Sequence, residues 1–103
     1  MDPEDNKLIV LARSARARNE SVEGAAVRDE TGRTYSGTDV ALAALKLSAL
    51  QVAVATAVSS GARSLEAAAL VTAGEGPGAG DEELVRELGG VLLVAGPDGT
   101  LRS

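Results

Sequence analysis

No cysteine and no histidine occur in the 103 residues, and phenylalanine and tryptophan are missing as well. Without thiols there are no disulfides and no cysteine nucleophiles. Without imidazole there is no serine–histidine couple. The two absences together exclude nearly every zinc site, because zinc is held mainly by sulfur and nitrogen. Tyr35 is the one aromatic residue, so stacking on a nucleobase has little to work with and the core must be built from small side chains. Such a core buries little area per residue, and contacts between copies are expected to supplement it. Positive charge is also scarce: 10 Lys and Arg against 15 Asp and Glu give a net charge of −5. That balance argues against a general affinity for nucleic acid or an anionic membrane. The acidic start, Met1 to Lys7, is unlike a secretory signal, and a cytoplasmic location is expected.

What is present is Ala, Val and Leu within a hydrophobic share of 45%, at a length that suits a single domain over residues 1–103. Asp2 as cap, Pro3 in the first turn and the acids Glu4 and Asp5 open a helix that should end near Arg18 or Asn19. Leu8, Leu11, Ala12 and Ala15 would form its apolar face. The arginines Arg13, Arg16 and Arg18 suit the C-terminal end of its dipole better than an RNA contact. Glu23–Arg28 and Arg33–Ser36 flank an Asp-Glu-Thr-Gly turn and read as a hairpin. From about Val40 to Ser60 the chain reads as one helix capped by Thr38 or Asp39, with only Lys46, Ser48, Gln51 and Thr56 interrupting its apolar run. A membrane span is disfavoured by Lys46, Gln51 and the alanine content; burial between a sheet and another helix or subunit fits better. Leu65–Thr72 and Val91–Gly96 read as buried strands around a short helix at Asp81–Leu88, and the closing PDGTLRS as a turn with a possible edge strand. The expected architecture is α/β, one mixed sheet of four to five strands covered by helices.

The chemistry legible in these residues is thin. The turn GEGPGAGDEEL, Gly74 to Leu84, has neither the Gly-Lys-Ser/Thr of a phosphate loop nor the dinucleotide glycine spacing, and Asp81, Glu82 and Glu83 would repel a phosphate. Those acids suit a helix start and are a weak basis for a magnesium site. Lys46, if buried, could serve as a base, though a lysine in an apolar run more often reaches the rim. These residues by themselves point to a non-catalytic domain.

The order of elements and several strings resemble the cytidine deaminase family of small zinc-dependent enzymes. The strings are Gly24–Val27, Asp29–Val40 (DETGRTYSGTDV), Ala53, Ala57–Gly61, Pro77 and Val91–Gly99 (VLLVAGPDG). In that family a hairpin ending in Tyr-Thr-Gly-x-Asn-Val-Glu precedes a helix with Cys-Ala-Glu, and a Pro-Cys-x-x-Cys turn opens a later helix. The resemblance implies a three-layer α/β/α fold. It sets Ser48 where the first zinc ligand stands and Leu50 where the general acid/base glutamate stands. Gly78 and Asp81 fall where the two thiolates stand; a one-residue gap would move the second to Gly80. Asp39 and Ala41 fall on the ribose-binding Asn and Glu. Ser48 and Asp81 retain oxygen atoms, but Gly78 has no side chain and Leu50 cannot carry a proton. The expectation is therefore a non-enzyme with no catalytic residues, no metal and no cofactor, its former pocket filled to become core. It would act through homo-oligomeric assembly, as dimer or tetramer, or through a protein partner. The alternative is a regulatory module that binds a nucleoside or nucleotide through Asp39, Ser48 and the Gly76–Gly80 turn without converting it. Third comes an active deaminase.

Overall fold

The computed structural model describes residues 1–102. The first helix, α1 (Pro3–Asn19), begins as its sequence dictates, with the Asp2 carboxylate accepting the Glu4 N–H at 2.8 Å and Pro3 in the first turn. It ends at Glu20 in the left-handed conformation (φ 50°), after Arg16 and Arg18 have met the negative end of the dipole. Its buried stripe is Leu8, Ile9, Ala12 and Ala15. Leu11, expected in that stripe, is 38% exposed; Ile9 takes its place because the face that meets the sheet is rotated by part of a turn.

Strands β1 (Glu23–Asp29) and β2 (Thr34–Thr38) form the expected hairpin. Its turn is organised by Asp29, which is 3% exposed. One carboxylate oxygen accepts the Thr31 N–H (2.9 Å), the Thr31 hydroxyl (2.7 Å) and the Arg33 N–H (3.0 Å), and the other accepts the Tyr35 hydroxyl at 3.2 Å. Four donors, the Thr31 hydroxyl first, hold this carboxyl below its ordinary pKa.

The stretch expected as one long helix is two structures. Val40–Ala41 (β3) and Lys46–Leu47 (β4) pair as a small antiparallel hairpin, closed by the Leu42 N–H on the Leu45 carbonyl at 2.8 Å. Helix α2 begins only at Ala49 and runs to Ser59. Its cap is Ser48, whose hydroxyl accepts the Gln51 N–H (3.1 Å) while the Gln51 side chain accepts the Ser48 N–H (2.8 Å). This capping box satisfies two orphan donors at once and fixes the start of the helix. Thr38 and Asp39 cap nothing: Thr38 closes β2 and its hydroxyl accepts from the Asn19 amide. Lys46 is exposed on β4, so the buried-lysine reading falls.

Strand β5 (Leu65–Thr72), helix α3 (Ala79–Glu87) and strand β6 (Val91–Ala95) complete the chain. The main sheet has the order β2-β1-β5-β6, antiparallel except for the parallel β5–β6 pair. A fifth strand amounts to a single bridge, Leu101 to Ala95; Ser103, the last residue of the PDGTLRS segment, lies outside the described residues. The two faces of the sheet carry separate cores. Helix α1 covers Ala26, Ala67, Ala69, Val71 and Ala95, while α2 and α3 cover Ala25, Val27, Ala68 and Leu70. The sheet residues are mostly alanine, and that lets the helices sit close. A methyl on Gly24 would run into the Ala12 carbonyl, and one on Gly37 would run into Val52. Among the described residues no helix is long and apolar enough to cross a membrane.

Candidate functional site

At one end of the sheet the first turns of α2 and α3 meet the start of β1 and the ends of β2 and β5. Ser48 enters from the cap of α2 and Asp81 from the first turn of α3, and the Ser48 hydroxyl donates to the Asp81 carboxylate at 2.7 Å. Asp81 is 8% exposed. Ser48 thus does three things with one side chain and its own N–H: it caps α2, locks into Gln51, and holds the helix that follows β5.

The other members are spent on the protein in the same way. The Asp39 carboxylate accepts the Glu23 N–H at 3.0 Å, tying the end of β2 to the start of β1. Glu23 is flanked by Thr72, Asp81 and Asp39. Partial burial pushes its carboxyl above the ordinary 4.5; the Thr72 hydrogen bond offsets part of that rise, and the charges of Asp81 and Asp39 add to it. Thr72, 1% exposed, accepts the Gly74 N–H at 3.0 Å and so starts the glycine-rich turn. Gly76 there has φ 139°, a conformation that favours glycine.

Of the residues singled out in the sequence, the fold brings Ser48 and Asp81 into contact. Gly78 caps α3 without any side-chain bond, and a methyl built on it meets no atom within 4 Å. Leu50 is 0% exposed and packs in the core under α2. Gly80 sits one turn-position before Asp81 on the helix, and Ala41 lies exposed on β3. Glu23 and Thr72 were missed, because a strand-end Glu and a strand-end Thr carry no local mark of what meets them across the sheet.

This donor set does not fit a zinc ion. The chain has no cysteine thiolate and no imidazole nitrogen, Ser48 already donates to the carboxylate that would have to share the metal, and Gly78 contributes no atom beyond its backbone. Nor does the Ser48–Asp81 pair make a nucleophile. Carboxylates are far weaker bases than an alkoxide, so the bond orders the two groups without activating the hydroxyl. What the arrangement can do is fasten α2 to α3.

Comparison with known proteins agrees with this topology. A family model described as cytidine deaminase-like matches residues 1–99. Among solved structures, cytidine deaminase from Burkholderia pseudomallei superposes with a TM-score of 0.80 at 25% identity, covering 93% of this chain and 87% of that one. Cytidine deaminase from Mycobacterium tuberculosis gives 0.74 at 26% identity, with coverage of 98% and 90%. The enzyme from Mycobacterium leprae shares the fold at a TM-score of 0.72 and 22% identity, with coverage of 98% and 93%. No curated protein sequence matches. The three-layer arrangement, the four-stranded mixed sheet and the match over nearly the whole length lead to one assignment: this chain belongs to the cytidine deaminase-like family.

Proposed function

We propose that this chain is a cytidine deaminase-like domain without deaminase activity, which acts by assembling with copies of itself. The observation that carries the proposal is the Ser48–Asp81 hydrogen bond at 2.7 Å. It occupies the positions that by resemblance belong to two zinc ligands, with Leu50 buried where a proton-carrying glutamate would stand. A deaminase of this kind needs a metal-activated water and a carboxylate beside it to move its protons; Ser48, Gly78 and Asp81 are a poor zinc set, and Leu50 carries no proton. Asp39 and Ser48, the side chains a nucleoside would need, are already hydrogen-bonded within the protein, which favours assembly over ligand binding.

The assembly half rests on charge. From Val40 to Ala62 the only charged residue is Lys46, in a chain of which 24% is charged. Leu42 is 60% exposed, Leu45 48% and Val58 49%, although hairpin tips and outer helix faces are ordinarily polar. A symmetric interface sets each residue near its own copy, so an acidic chain meets itself most readily where charge is absent. Light scattering at micromolar concentration should give a dimer or tetramer, and Leu42→Asp with Leu45→Asp should shift it to monomer with unchanged circular dichroism. A monomeric parent protein would refute the assembly half. A thermal-shift panel of nucleosides and nucleotides should be flat; a specific upward shift that Asp39→Ala abolishes would favour a binding module instead.

A further inference from the structure

Strand β2 forms one edge of the main sheet, with β1 on its inner side. Its neighbours in the chain are already placed: the turn from Asp29 to Arg33 leads back to β1, and beyond Asp39 the β3–β4 hairpin pairs with itself. In an antiparallel pair, residues that exchange hydrogen bonds alternate with residues that turn their N–H and C=O groups away. The Asp29 N–H donates to the Arg33 carbonyl at 2.9 Å, so Arg33, Tyr35 and Gly37 are the residues bonded to β1. Thr34, Ser36 and Thr38 turn their backbone groups to the outer edge, and among the described residues no backbone group pairs with theirs. None of the usual guards of an edge is present, because Thr34–Thr38 has no charge, no proline and no bulge. The side chains sort by face. Tyr35 packs with the core under α2, and a methyl on Gly37 would meet Val52 of that helix. Thr38 lies toward α1, where its hydroxyl accepts from Asn19, and Ser36 lines the same hollow as Thr38 and Arg18.

We propose that the edge of β2 pairs with the same edge of a second copy, antiparallel about a two-fold axis at Ser36, so that two main sheets become one. The inference rests on the assembly reading above and adds where two copies meet. Register favours it first. An axis at Ser36 sets Ser36 against the partner's Ser36 and Thr34 against the partner's Thr38. All three outward residues then oppose outward residues, and each pair exchanges both of its hydrogen bonds. An axis at Tyr35 or Gly37 would keep only two of those pairs within the strand. Charge favours the same register. One step beyond the strand it brings the partner's Arg33 level with Asp39. Arg33 is exposed and makes no ion pair among the described residues. One Asp39 oxygen takes the Glu23 N–H, and the other has no protein donor among the described residues. The two-fold makes this pair twice. Helix α1 adds a third match. Asp5 lies by Arg28 and Arg16 by Val22, so α1 runs opposite to β1. The axis therefore sets its basic last turn level with the acidic first turn of the partner's α1. Backbone pairing over five residues buries too little to hold two copies alone, against roughly 1,200–2,000 Å² for a stable interface. It acts together with the uncharged surface of Leu42, Leu45 and Val58.

A chain without cysteine allows a direct test by introduced thiols. Ser36 and the partner's Ser36 would stand about 5.5 Å apart at Cα. Thr34 and the partner's Thr34 would be offset by roughly 14 Å along the strand. Ser36→Cys in the intact protein should therefore give a covalent dimer with a short thiol-specific cross-linker. Thr34→Cys and Thr38→Cys should each give none alone, and a dimer when the two are mixed. Ser36→Lys sets two like charges on the axis at an exposed position, and it should halve the particle mass in light scattering with unchanged circular dichroism. Ser36→Ala should leave the mass as it is. Hydrogen exchange on the unmodified protein gives a readout free of substitutions. The Thr34, Ser36 and Thr38 amides should exchange faster by about tenfold on dilution to monomer, the size of one net hydrogen bond, while Tyr35 and Gly37 stay protected. An assembled protein in which the Ser36→Cys variant does not cross-link and the three edge amides exchange freely overturns this inference. The assembly reading would then stand, and the edge would belong to a different partner. A protein that is monomeric at micromolar concentration overturns both. Equal cross-linking of all three single variants, the mark of chance collisions, overturns the register and the proposal with it.

Discussion

Removing the Ser48 hydroxyl should be far more costly than an ordinary serine-to-alanine change. Ser48→Ala deletes a helix cap, worth about 1 kcal/mol. It also strips the nearly buried Asp81 carboxylate of its hydroxyl donor, where a hydrogen bond to a charged group is worth about 1.5–3 kcal/mol. The two together come to about 2–4 kcal/mol, a large fraction of the roughly 5–15 kcal/mol that holds a small domain together. For a chain of this length that corresponds to a fall in Tm on the order of 10–25 °C. Urea denaturation of Ser48→Ala, Asp81→Ala and the double variant, followed by circular dichroism, separates the contact from the cap. The cap loss appears in both halves of the cycle and cancels, leaving a coupling of about 1–2 kcal/mol between Ser48 and Asp81. A coupling under about 0.5 kcal/mol would refute the claim that this bond fastens α2 to α3, whatever the single variants do.

Other consequences follow from burial, close approach and charge. Leu50→Ala should destabilise by about 2–5 kcal/mol, as for a fully buried leucine, measurable in the same urea titration; a loss under about 1 kcal/mol would mean an open pocket rather than core. Gly24→Ala should cost about 3 kcal/mol or more, because the methyl meets the rigid Ala12 carbonyl, and exchange protection in α1 should fall first. The Glu23 carboxyl is raised above 4.5, so the folded state binds its proton more readily than the unfolded state. Stability should therefore rise as pH falls from neutral toward 4.5, and Glu23→Gln should flatten that rise in a series of Tm measurements. Asp29 works the other way. Its carboxyl is held below 3.8 in the fold, so its stabilisation is present above that pH and is lost on further acidification.

The elements that could be read directly were those with both a pattern and a boundary. Asp2-Pro3 fixes the start of α1, and Leu65–Thr72 lies between clear breakers as a continuous buried run. The hairpin at Val40–Leu47 was hidden because alanine and leucine favour a helix locally, and only pairing across a two-residue turn keeps these residues out of one. The deciding signal was nevertheless present: Ser48 followed by Gln51 is a stronger start than Thr38-Asp39, whose side chains are claimed by Asn19 and Glu23. At the site, Ser48, Leu50, Gly78 and Asp81 could be placed by resemblance. That Ser48 and Asp81 bond to each other depends on two helix N-termini that are far apart in sequence and meet only in the folded sheet. Glu23 and Thr72 enter the same cluster purely through the order β2-β1-β5.

The most direct measurement is cytidine turnover by the purified protein with zinc supplied, coupled to metal analysis after gel filtration. Uridine formation should not exceed the blank, and zinc should stay well below one equivalent per chain. Turnover above the blank that Ser48→Ala or Asp81→Ala abolishes, in variants that remain folded, would contradict the claim that these positions have exchanged metal chemistry for a hydrogen bond.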